Sequence, residues 1–258
     1  MTDAQEHDLQ FAINVAQLAG NSTLKWFQNR DLDVDDKADG SPVTAADRHA
    51  EQVAREEISR RFPEDGIVGE EYDDVEGSSG RRWVIDPIDG TKAFTHGVPL
   101  YSTLVALIDD EGPAVGVIYL PALNETIAAG RGLGATFNGE PCRVSDESDL
   151  GRSFVMTSGF DYWKADPLRA VLASRAHLRT WGDGYGYALV ASGRAEAMID
   201  PQANPWDVAA MGVIITEAGG RFSNVDGREG ATAWTQGSGI ATNGAIHERV
   251  LGWLNPNG

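Results

Sequence analysis

The chain has 258 residues, 41% hydrophobic and 23% charged, which suits one large globular domain or two small ones tightly joined. No stretch approaches the ~18 to 20 apolar residues that a bilayer-spanning helix needs, the opening Met1-Thr2-Asp3-Ala4-Gln5-Glu6 is acidic and polar rather than a secretory signal, and a lone cysteine, Cys142, excludes an internal disulfide and fits a reducing cytoplasm. The formal net charge of −18 repels nucleic-acid phosphates and anionic membranes, so neither is expected as a partner; it would also repel a phosphate-bearing substrate unless cations stood between them, although an acidic surface equally serves solubility.

In chain order, residues 9–27 place Phe11, Val15 and Leu18 on one helical face. An acidic stretch over 30–40 leads to Ser41-Pro42-Val43-Thr44, where Thr44 is a predicted N-cap with Asp47 three residues on; Ala46, Ala50, Val53, Ala54 and Ile58 then mark a second amphipathic helix ending near Phe62-Pro63. The period then shortens. Strands are predicted over 83–85, 103–108, 115–119 and 126–129, with turns at Asp109-Asp110-Glu111-Gly112 and Asn138-Gly139. This half reads as two helices on a largely antiparallel sheet.

The second half alternates strand and helix, as an α/β layer does: strands over 153–157 and 195–199, and helices over 167–174, 185–192, 208–218 and 245–254. Gly219-Gly220 stops the helix over 208–218. No repeat or linker interrupts the chain. It is expected to be a single unit, with an α+β half over about 1–145, an α/β half over about 146–258 and the active site between them.

Three acidic strings suit a hard divalent cation, because Mg²⁺ favours a few carboxylates plus water and substrate phosphate over a full protein cage. In Trp83-Val84-Ile85-Asp86-Pro87-Ile88-Asp89-Gly90-Thr91 a buried strand runs into two aspartates; Pro87 stiffens the backbone between them and Gly90 permits close approach of a ligand. A short helix starting at Thr91 would turn free N–H groups toward an anion. A bare D-x-x-D, however, more often only caps backbone amides. Gly69-Glu70-Glu71 alone reads as a solvated acidic turn, and in Pro205-Trp206-Asp207 the aspartate is the expected N-cap of the helix over 208–218.

Taken together, Lys37 through Thr44-Ala45-Ala46-Asp47, Gly69-Glu70-Glu71, 83–91, Pro205-Trp206-Asp207 and Glu217-Ala218-Gly219-Gly220 resemble the inositol monophosphatase superfamily over nearly the whole chain. The resemblance implies an αβαβα layered fold, a homodimer, and two or three Mg²⁺ ions held by Glu70, Asp86, the Ile88 carbonyl, Asp89 and Asp207. It also implies that Asp47 and Thr91 orient the attacking water and that Gly90 and Thr91 supply phosphate-binding amides; on chemical grounds Glu70, with Thr91 alongside, could accept the water's proton directly or through a short relay. The histidines (His7, His49, His96, His177, His247) fall in none of these strings and are read as incidental.

Which ester is cleaved rests on fewer residues. Lys92 after Thr91 is shared by the histidinol-phosphate and phosphoadenosine-phosphate types, or could simply be solvated surface, while Gly97-Val98-Pro99-Leu100-Tyr101 resembles the histidinol-phosphate type more than the phosphoadenosine type. Gly182 and Asp183 stand where small residues line the sugar in inositol enzymes, and a carboxylate there suits an ammonium or imidazole, although Asp183 could instead cap the helix near Tyr185. Asp200, seven residues before Asp207, matches a substrate-hydroxyl position, or could be an ordinary strand-end residue. The preferred expectation is an L-histidinol-phosphate phosphatase of histidine biosynthesis. Inositol-1-phosphate and 3′-phosphoadenosine 5′-phosphate phosphatases stand as alternatives, and a non-catalytic regulatory partner as a remote one.

Overall fold

The structure is a computed structural model that describes residues 3–29, 34–36 and 42–255; Lys37, at the head of the first matching string, lies outside them. Helix α1 (Asp3–Thr23) is followed by a short antiparallel pair, β1 (Val34–Asp36) with β2 (Pro42–Thr44), and then by α2 (Ala45–Arg61). Thr44 caps α2 as expected: its hydroxyl accepts from Ala46 N, while Asp47 reaches back to the Thr44 amide in a reciprocal capping box.

Strands β3 (Gly66–Gly69), β4 (Arg82–Asp89), β5 (Ser102–Asp109), β6 (Gly112–Leu120), β7 (Glu125–Gly130), β8 (Gly134–Phe137) and β9 (Glu140–Cys142) form one sheet in sequential order; the short helix α3 (Thr91–Thr95) lies between β4 and β5. Only β3 and β4 run parallel. The β8–β9 connection is Asn138-Gly139, both at positive φ, which matches the right-handed twist of a hairpin. Alternation divides the sheet into two dry faces: Trp83, Ile85, Val105, Leu107 and Tyr119 pack under α1 and α2, while Val84, Leu104, Ala106, Ile118 and Leu120 face the opposite layer.

That layer is helical. After β10 (Phe154–Met156), α4 (Ala165–Leu172) and β11 (His177–Arg179) come α5 (Asp183–Ala191), β12 (Ala197–Asp200), α6 (Pro205–Val208), α7 (Met211–Glu217), β13 (Arg221–Ser223), β14 (Gly239–Thr242) and α8 (His247–Leu254). Five strands form a second sheet in the order β11-β10-β12-β14-β13, with β10 parallel to both of its neighbours and the other pairs antiparallel. Helices α5 and α7 are buried between the two sheets, sharing a core with both. Val155, Ala197, Ile199 and Ile240, on the other face of the second sheet, pack against α8 through Val250 and Leu254. The layers therefore run αβαβα, as expected.

Beyond shifts of element ends, such as the first helix spanning Asp3–Thr23 rather than 9–27, two elements beside the cleft differ from their sequence reading. The helix over 208–218 is two segments, and it begins earlier: Asn204 is the N-cap and Pro205 occupies the first turn, so Asp207 is the third helical residue rather than the cap. Ala209 and Ala210 keep helical dihedrals, so the break between α6 and α7 is one of hydrogen bonding rather than direction. Strand β4 continues through both aspartates; Pro87, which lacks an N–H, sits where the pairing with β5 slips between Asp86 and Asp89. Among the described residues no helix is long and apolar enough to cross a membrane.

Candidate active site

A cleft of about 290 Å³ opens where β3 and β4 of the first sheet meet the N-termini of α5 and α6. Glu70, Asp86, Ile88, Asp89, Gly90, Thr91 and Lys92 line it from one side, and Ser158, Gly159, Asp161, Tyr162, Asp183 and Asp207 from the other. A larger depression of about 510 Å³ between α1 and α2 gathers no comparable set of carboxylates.

Carboxylate oxygens of Asp86, Asp89 and Asp207 lie within 4.8 Å of one another. Each is held by a second contact. Asp86, 2% exposed, accepts from the Ile88 amide at 3.1 Å. Asp89 accepts from Ser102 Oγ at 2.7 Å and from the Gly184 amide. Asp207 accepts from the Asn204 amide at 2.7 Å, the contact that closes the α6 capping box.

Burial and mutual repulsion drive these groups toward their protonated forms. Burial, then the charges of Glu70, Asp89 and Asp207, raises Asp86 well above the usual carboxylate range. Burial, then Asp183 and Asp207, does the same to Asp89, and burial first pushes Asp207 up to about 7. Glu70 also hydrogen-bonds Asp86, a contact that requires a proton or a cation between the two oxygens. The Asp47 carboxyl, also raised by burial, uses Oδ2 on the Thr44 amide and hydroxyl, while its buried Oδ1 has no partner among the described residues. An all-oxygen donor set with one orphaned buried oxygen nearby fits hard divalent cations.

The neighbouring backbone suits an anion. Gly90, at φ 84°, begins α3 without a side-chain cap, and Thr91 Oγ1 donates to the Ile88 carbonyl at 3.0 Å. A Cβ at Gly90 would stand 3.0 Å from Asp183 Oδ2, so glycine is required for both its dihedral and its closeness to Asp183.

The residues expected to read the organic group have different roles. Asp183 does line the cleft, but the cap of α5 is Gly182, and Asp183 follows at φ 53° with its amide donating to Ser158 Oγ at 2.9 Å. Gly182 is packed against Ser158 and is not among the residues lining the cleft: a Cβ there would overlap the Ser158 backbone. Asp200 lies behind the cleft wall at 7% exposure, accepting from Ser158 Oγ at 2.7 Å and Tyr187 OH at 3.0 Å, and burial pushes its pKa up to about 7. With both oxygens engaged, Asp200 supports Ser158, which in turn supports Asp183. No histidine lines the cleft.

Ser102, Ser158, Asp161, Tyr162, Gly184 and Asn204 have no part in the sequence reading. For Asn204 a signal existed, since Asn-Pro is a cap followed by a first-turn proline. The others reach the site only through tertiary packing.

Fold and cleft together define a layered α/β chain with a cluster of carboxylates that could hold a cation. The chain belongs to the inositol monophosphatase family, whose profile matches residues 4–256. It is 45% identical over 226 residues to a histidinol-phosphatase from Chlorobaculum parvum, covering 86% of this chain and 87% of the relative. It is 38% identical over 257 residues to a histidinol-phosphatase from Mycobacterium tuberculosis, with 96% and 98% covered. An inositol monophosphatase structure from Thermotoga maritima superposes with a TM-score of 0.87 at 33% identity, covering 97% of each chain.

Proposed function

We propose that the chain is a cytoplasmic Mg²⁺-dependent phosphate monoester hydrolase acting on L-histidinol phosphate in histidine biosynthesis. The observation that carries the reaction class is the convergence of Asp86, Asp89 and Asp207 within 4.8 Å. The relatives named histidinol-phosphatase, at 45% and 38% identity, support the choice of ester.

In this reading Glu70, Asp86, Asp89, Asp207 and the Ile88 carbonyl hold two or three Mg²⁺ ions between the halves over about 1–145 and 146–258. Bound Mg²⁺ would neutralise the phosphoryl oxygens and acidify a water molecule. Gly90 and Thr91 then offer amides to the phosphate at the start of α3. Thr91 donates its hydroxyl proton to the Ile88 carbonyl, which leaves the oxygen's lone pairs to accept from the attacking water. Asp47 Oδ1 is the second acceptor for that water and relays the proton it receives to Glu70 beside it. No side-chain nucleophile is required for in-line attack by water. A homodimer accompanies this reading, supported by the unpaired edge of β11 and by the exposed Leu172 and Trp181 near it, 63% and 42% exposed.

The test compares kcat/KM with Mg²⁺ on L-histidinol phosphate, inositol 1-phosphate and 3′-phosphoadenosine 5′-phosphate. L-Histidinol phosphate is expected to lead; a preference of about tenfold or more for either rival would overturn the substrate.

A further inference from the structure

Beyond the carboxylates, the cleft has a second end built on the loop that leaves β10. Tyr162 is 41% exposed there, and its hydroxyl accepts a hydrogen bond from Lys92 Nζ at 3.0 Å, with the ammonium 5.4 Å from the ring centroid. Lys92 is held charged by that hydrogen bond first, and also by the charges of Asp161 and Asp183. Asp161 is exposed and makes no hydrogen bond among the described residues. This wall therefore presents two carboxylates against one ammonium, beside an aromatic face open to solvent.

A polyol uses little of this. Neutral hydroxyls gain less from a carboxylate than a cation does, and they gain nothing from a ring face. A protonated amine would answer the excess negative charge. The hydrogen-bond direction adds a further constraint: because the Tyr162 oxygen accepts from Lys92, its own proton remains available to an acceptor, such as the unprotonated nitrogen of a heteroaromatic ring.

We propose that Asp161 and Tyr162 are specificity-determining residues: Asp161 accepts from the ammonium of an amino-alcohol phosphate, and Tyr162 donates its hydroxyl proton to a ring nitrogen of the same substrate. The proposal rests on the histidinol-phosphate reading above and names the residues that would carry its selectivity.

The test uses the full chain with Mg²⁺ and the variants Asp161→Asn, Asp161→Glu and Tyr162→Phe, assayed on L-histidinol phosphate and p-nitrophenyl phosphate. For Asp161→Asn the ratio of the two kcat/KM values should fall about tenfold, through KM on L-histidinol phosphate, with Asp161→Glu restoring most of it. Tyr162→Phe keeps the ring and should lower the ratio about threefold. An unchanged ratio in Asp161→Asn, with wild-type protein still preferring L-histidinol phosphate, overturns this proposal and leaves the proposed function standing. A wild-type protein that does not hydrolyse L-histidinol phosphate overturns both.

Discussion

The two ends of the cleft are built on different principles. At the acidic end, Asp86, Asp89 and Asp207 project from the end of β4 and the first turn of α6, and each is fixed by a backbone amide or a buried hydroxyl. At the other end, Asp161 and Tyr162 stand on an irregular segment between β10 and α4, and Asp183 depends on the chain from Asp200 through Ser158. In the proposed reading, a reaction shared by many esters would sit on rigid elements and discrimination among esters on a loop that can change without disturbing a sheet.

The largest expected effect breaks the acidic end. Asp86→Asn removes one oxygen ligand and part of the charge that attracts cations, so Mg²⁺-dependent turnover should fall by about a thousandfold or more. Far-UV circular dichroism should be unchanged, because the Ile88 amide can still bond to the side-chain carbonyl. Turnover retained within about tenfold would remove Asp86 from the metal site.

The same end makes stability depend on pH in a way that metal should weaken. Asp207 is raised to about 7 and Asp86 and Asp89 well above their usual range, while Asp200, behind the other end and outside the proposed ligand set, is raised to about 7 as well. A carboxyl with a raised folded pKa contributes stability that is complete below its unfolded pKa near 3.8 and is lost as pH rises through the folded value. Metal-free protein should therefore lose stability as pH rises from ~5 to 7, by less than the sum over the groups where they share protons. His247 works the other way, since burial lowers its pKa, and a single group cannot cancel four. Thermal melts of EDTA-treated protein should show Tm falling from pH ~5 to 8, with Mg²⁺ flattening the fall because cations replace the protons. A metal-free Tm that rises across this range would contradict the burial of these charges.

How legible each end was follows from the same contrast. The β4 run, the α2 capping box and the αβαβα layers are written in local patterns: alternation, a Thr–Asp cap and a resemblance spread over five strings. Asp207 was found as a ligand candidate but placed wrongly as a cap, because Asn204-Pro205 outcompetes it for that position. Asp200 was assigned to substrate by its spacing from Asp207. Spacing along the chain cannot tell that Ser158 and Tyr187, brought in from other elements, occupy both of its oxygens. Asp161 and Tyr162 carry no pattern at all and become visible only when Lys92 arrives from α3.

Smaller in effect is the break behind the organic end. Ser158→Ala deletes the hydroxyl between Asp200 and the Asp183 amide, leaving a buried carboxylate and an N–H each short of a partner. The cost should be about 1–3 kcal/mol in urea denaturation, and KM should rise more than kcat falls because Asp183 loses its anchor. A stability change below about 0.5 kcal/mol would mean that water replaces the hydroxyl without loss.

The finest test separates two roles that the structure gives Asp183 together. Its carboxylate faces the cleft near Lys92, where it could pair with a substrate cation, and it also lies close to Gly90, in the turn proposed to bind phosphate. Asp183→Asn keeps the shape and removes the charge. If charge reading dominates, kcat/KM on L-histidinol phosphate should fall about three- to tenfold more than on inositol 1-phosphate; the effect is modest because burial already raises this carboxyl's pKa and Lys92 already offsets part of its charge. Equal losses on both esters would assign Asp183 to holding the Gly90 turn. Selectivity would then rest on Asp161 and Tyr162 alone, and the contrast between the two ends would narrow to a single loop.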